Sequence, residues 1–168
     1  EKIGIMLEKL DELKEQKLAD LDFEYLKCDY KETITPPGKN DAWIKFKKDV
    51  RFSEVDAHYW IHLSFEAVEP IENKELIFKF KTGREKMWDA TNPQGIIYID
   101  GRTVQALDVN HTWTSLEFGR KYDLYIYLYT GTWGGNFEIL PELWLRDIPV
   151  YNLYFDIEVP FEALEVLD

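Results

Sequence analysis

The chain is poor in the residues that staple or metallate small domains. Cys28 is its only cysteine, so no intrachain disulfide can form, which fits a reducing, cytoplasmic setting. There are three histidines, His58, His62 and His111. On an unbroken strand His58 and His62 would lie ~13 Å apart, too far to share one metal at bond lengths near ~2 Å. No Walker loop, GxGxxG, GxSxG, HExxH or CxxC occurs, so the usual nucleotide, serine-hydrolase, zinc-protease and redox signatures are missing. No run approaches the ~20 apolar residues of a membrane span, and the start is too charged for a signal-peptide core. Basic residues are outnumbered, 20 against 32 acidic, giving a formal net charge of −12. That balance opposes binding to nucleic acid and to anionic membranes, and leaves neutral ligands such as sugars open.

Apolar residues make up 45% of the chain and aromatics 15%, a composition that can close a core within 168 residues. The start at Glu1 rather than Met, and the end within a helical pattern, suggest part of a longer protein.

Glu1 to Leu21 is predicted as an amphipathic helix, with Ile3, Met6 or Leu7, Leu10 and Leu13 at helical spacing. Its stripe could pack on this domain, on an absent domain or on a second subunit. The cluster Thr35-Pro36-Pro37-Gly38-Lys39-Asn40-Asp41 reads as a linker. Beyond Trp43 the pattern turns to β. Tyr59, Ile61, Leu63 and Phe65 alternate with polar or amphipathic residues, as do Leu76, Phe78 and Phe80. In Tyr122 to Tyr129 both faces can be apolar, which predicts a central strand covered on both sides. Pro141 demotes Phe137 to Leu145 to an edge strand, a bend or a short helix. Val150 to Val159 reads as a last strand, with Pro160 opening a short C-terminal helix. The sum is a mainly β fold, an antiparallel sandwich or jelly roll. Residues 1–40 are read as helix and linker arm, 41–160 as the sandwich, and 161–168 as the start of a helix.

The most site-like stretch is Trp88 to Thr112. Ile96 to Ile99 and Thr103 to Leu107 flank Asp100-Gly101, a hairpin turn whose two positions need positive φ. An antiparallel pair brings the preceding loop, with Trp88, Asp89, Asn92 and Gln94, to the same end as the following loop, with Asp108, Asn110 and His111. Five-residue strands set both loops ~17 Å from the turn. These side chains could contact a ligand or a neighbouring domain, or could simply cap turns. Trp133, between Gly131 and Gly134-Gly135, is the tryptophan with least local cover and a candidate sugar platform.

This stretch resembles the N-terminal ancillary domain of family 38 α-mannosidases, in the branch found in bacteria and in the eukaryotic cytosol or vacuole. The residues concerned are Trp88-Asp89-Ala90-Thr91-Asn92-Pro93-Gln94-Gly95, Asp100-Gly101, Gln105 and Leu107-Asp108-Val109-Asn110-His111. The Trp43 region and the run from Tyr154 to Pro160 fit the same pattern. The resemblance implies a galactose-binding-domain-like sandwich that is itself non-catalytic. It implies a parent that hydrolyses terminal α-linked mannose with retention, using zinc or another divalent metal. Metal ligands and catalytic carboxylates would belong to a separate catalytic domain, since those motifs are missing here. The implied partners are that domain, further copies in a homo-oligomer, and mannose-containing oligosaccharides as parent substrate. An independent carbohydrate-binding module is the other reading.

Overall fold

The computed structural model describes residues 2–30, 34–38, 42–46, 50–85, 93–132 and 136–167, with side chains to residue 164. Two antiparallel sheets form a mainly β fold consistent with a sandwich. Helix α1 (Lys2–Leu13) leads into β1 (Glu15–Asp20), β2 (Glu24–Cys28) and the short β3 (Ile44–Lys45). Then follow β4 (His58–Glu66), β5 (Lys74–Lys81), β6 (Gln94–Ile99), β7 (Arg102–Leu107), β8 (Trp113–Leu116), β9 (Lys121–Tyr129) and β10 (Leu140–Asp147). Helix α2 (Ile148–Leu167) ends the chain. The smaller sheet has the order β1-β10-β5-β8 and the larger β3-β2-β4-β9-β6-β7.

Strand alternation builds the core. Tyr59, Ile61 and Leu63 of β4 and Leu124, Ile126 and Leu128 of β9 face Leu76, Phe78 and Phe80 of β5 and Leu143 and Leu145 of β10. The central position predicted for residues 122–129 is observed: β9 pairs with β4 on one side and β6 on the other. Its outer face joins a second apolar cluster around Trp60, Tyr98 and Tyr127, with Ile34 and Trp43 packed against it. The hairpin is also as predicted, with Asp100 at φ 52° and Gly101 at φ 74°. The left-handed region costs a residue with a Cβ roughly 1–2 kcal/mol, which glycine avoids.

Four expectations are corrected. The first helix stops at Leu13, and residues 15–20 form an edge strand paired with β10. These residues are good helix formers, but the strand lets Glu15 pair with Lys79 and Arg146, and Lys17 with Glu142. Tertiary pairing overrides a local preference of a few tenths of a kcal/mol per residue, which is ~0.7 at most. The sandwich therefore starts before residue 41, because β1 and β2 belong to its sheets.

The predicted last strand over residues 150–159 is helical, and the helix starts at Ile148 rather than after Pro160. Asp147 caps it: its Oδ1 accepts the Val150 N–H at 3.0 Å. Pro149 falls in the first turn, where a missing N–H costs nothing. Pro160 lies inside the helix. Pro141, finally, sits within an interior strand. Its carbonyl accepts the Leu21 N–H at 2.9 Å, just beyond the last residue of β1. The donor that proline lacks therefore falls at the end of the ladder.

Candidate functional site

Strand direction sorts the loops into two sets. The described residues just after β5 (82–85), β7 (108–112) and β9 (130–132), and those just before β4, gather at one end of the sandwich. The Asp100-Gly101 turn, the 67–73 and 117–120 connections and the start of α2 lie at the other, where Arg120 bonds Asp100 and the Ile148 N–H bonds the Asn73 carbonyl. Gln94 at the start of β6 and the Asp108–His111 segment after β7 lie together at the first end, since Gly95 and Leu107 are in register. Of the predicted site residues, Gln94, Asp108, Asn110 and His111 are described; Trp88, Asp89, Asn92 and Trp133 lie outside the described residues.

Asp108 organises its loop. Its Oδ1 accepts the Asn110 and His111 N–H groups, each at 2.7 Å, and lies 3.0 Å from His111 Nδ1. Desolvation pushes the Asp108 carboxyl up, but these hydrogen bonds outweigh it and hold it below the usual carboxylate range. Val109 is buried beneath, while the His111 side chain is 71% exposed. The carboxylate thus acts on its own backbone, and His111 and Asn110 are the groups offered to solvent. Gln94 opens β6 opposite Tyr129 and is exposed.

Tyr129 belongs to a hollow of about 460 Å³ at the same end, lined by Tyr30, Asp56, His58, Tyr127 and Tyr129. Tyr129 donates its hydroxyl hydrogen to Asp56 Oδ1 at 2.7 Å, and the Tyr127 hydroxyl lies 2.9 Å from His58 Nδ1. The His58 ring stacks on Tyr129 at 4.9 Å between centroids. Asp56 takes φ 53°, and its N–H donates to the Gly131 carbonyl at 2.8 Å. Sequence reading missed this group because it depends on the β4–β9 register, which sets His58 opposite Tyr129. The alternating Tyr125, Tyr127 and Tyr129 were the available signal.

His62 has a different environment from His58. It is buried, with Nδ1 2.7 Å from Glu24 Oε1 and Nε2 2.5 Å from Asp123 Oδ1. Its ring stacks on Tyr125 at 4.5 Å. Both nitrogens are engaged by carboxylates, so the ring ties β4 to β2 and β9. Among the described residues, no group of three or more His, Cys, Asp or Glu is placed to hold a metal ion.

The helices form the other uncovered feature. Gly4, Leu7 and Leu10 of α1 are half-buried, as are Val150, Tyr154, Ile157 and Phe161 of α2, and the two helices pack on each other. Neither apolar cluster of the sheets contains a residue of either helix. Ile3, Ile5, Met6 and Leu13 are exposed on α1, and Ile148, Leu153, Phe155, Val159 and Leu164 on α2. Among the described residues, no helix is long and apolar enough to cross a membrane. A comparison with known protein families finds no match, and no curated protein matches the chain.

Proposed function

We propose that this chain is the non-catalytic N-terminal β-sandwich domain of a cytoplasmic α-mannosidase resembling family 38. Its task is to pack on the catalytic domain and to help assembly or shape substrate access. The parent would hydrolyse terminal α-linked mannose with retention, and the zinc or other divalent metal would be held by the catalytic domain. The observation that carries the docking role is α2, whose Ile148, Leu153, Phe155, Val159 and Leu164 stay exposed although α1 packs on one side and Arg146 of β10 on Tyr151. Large apolar side chains left exposed together mark a surface that another element covers. The motif from Trp88 to His111 supplies the family reading.

The aromatic hollow at the loop end favours a second reading, an independent carbohydrate-binding module. Flat rings beside an oriented carboxylate suit a pyranose. Titration of the chain with methyl α-mannoside, followed by tryptophan fluorescence and calorimetry, separates the two. The ancillary-domain reading expects no mannoside turnover and no saturable binding at millimolar ligand, where a dissociation constant corresponds to about 4 kcal/mol. Saturable binding lost on Tyr129→Ala or Asp56→Asn, in folded variants, would establish the binding module instead. Turnover by the chain alone would overturn both.

A further inference from the structure

We propose that the α1–α2 pair docks a protein surface whose apolar groove is rimmed by Lys and Arg, and not a second copy of this chain. The inference rests on the docking role above and adds the charge of the partner.

At 100° per residue, Val150, Tyr154, Ile157 and Phe161 share the side of α2 turned to α1. Ile148, Phe155 and Val159 fall together on one exposed flank, and Leu153 and Leu164 on the other. The sequence of α2 carries four acidic residues, Asp156, Glu158, Glu162 and Glu165, and no Lys or Arg; the first three fall between and beside these flanks. On α1, Lys2, Lys9 and, just beyond it, Lys14 balance Glu8, Asp11 and Glu12, with Lys9 paired to Glu12 and Lys14 to Asp11. The acidic excess beside the uncovered apolar surface is therefore that of α2.

A second copy would bring acid against acid, and would set one chain of net charge −12 against another. Like charges brought together at a forming interface are penalised, and opposite charges both steer encounter and fix register. The same sign disfavours an anionic membrane, which attracts Lys and Arg. A protein groove with a basic rim satisfies both the apolar flanks and the acidic excess beside them.

The test uses the whole chain and two synthetic amphipathic helical peptides with one leucine stripe, flanked by Lys in one and by Glu in the other. Calorimetric titration should show saturable binding of the Lys-flanked peptide, about tenfold tighter than the Glu-flanked one at low salt, with the ratio shrinking at high salt. Phe155→Ser with Val159→Ser, both at exposed positions, should abolish binding without unfolding the chain. Equal affinity for the two peptides would overturn the basic-rim proposal and leave the docking role standing. Lys-peptide binding that survives the double substitution would overturn it as general attraction to an acidic protein. Sedimentation showing self-association lost in the double variant would replace it with a homodimer. No peptide binding and no self-association would remove the docking role as well.

Discussion

Phe78→Ala is expected to lower the unfolding free energy by about 3–5 kcal/mol. Phe78 has no exposed surface and lies in β5 between β10 and β8, opposite Leu143 on one side and Thr114 on the other. The substitution removes a ring's transfer free energy and leaves a cavity between two sheets that pair along several strands. Neighbours such as Leu76, Leu124 and Ile126 cannot collapse into it without breaking register. A domain is stable by only ~5–15 kcal/mol, so the variant should sit near the edge of folding. Urea unfolding measures the difference. The contrast is Val104→Ala, at an exposed bulged position of the edge strand β7, where a change within about 0.5 kcal/mol is expected. Equal effects at the two positions would mean that the two sheets do not share this core.

Arg146→Ala should cost about 3–5 kcal/mol, the range for breaking one partner out of a buried ionic group. The Arg146 side chain is 5% exposed. Its guanidinium bonds Glu15 at 2.8 Å and Glu75 at 3.2 Å, and lies 4.1 Å from the Trp113 ring centroid and 3.9 Å from that of Tyr151. Removing it strips a buried carboxylate of one of its two cations and unstacks two rings. The pH dependence should change with it. Burial pushes the Glu15 carboxyl up, but hydrogen bonds from Lys79 and Arg146 outweigh burial and hold it below the usual range. A depressed folded-state value means stability that is fully present above the unfolded value, about 4.3. That stability is lost as pH falls through the folded value. In Arg146→Ala the depression weakens, so acid unfolding should begin at higher pH, and the gap between variant and parent should narrow below about pH 4. Parallel pH profiles would show that Arg146 acts by packing alone.

What could be read from the sequence was what depends on short-range pattern. The alternation in residues 59–65, 76–80 and 122–129 marked three strands, and Asp100-Gly101 marked the hairpin. Sequence reading failed where two periods coexist or a distant partner decides. Residues 150–159 satisfy a period of two through Leu153, Phe155, Ile157 and Val159, and a helical period through Val150, Tyr154, Ile157 and Phe161. The cap at Asp147 and Pro149 in the first turn were the local signals for the second. Residues 15–20 carry helical propensity and become strand only because β10 offers Glu142 and Arg146 across the sheet. The site divided in the same way. The turn chemistry of Asp108 was legible, since an Asp that caps its own loop does so through neighbours in sequence. The Asp56–Tyr129 pair and the carboxylates on His62 come from residues more than thirty positions apart, set by register alone.

The measurement that bears most directly on the account mixes this chain with a family 38 α-mannosidase catalytic domain that lacks its own N-terminal sandwich. Sedimentation and amide hydrogen exchange are followed together. The account predicts an equimolar complex, slower exchange concentrated in α1 and α2, and mannosidase turnover that comes only from the catalytic domain. A chain that stays apart, with helix exchange unchanged, or that hydrolyses mannosides when alone, would contradict it.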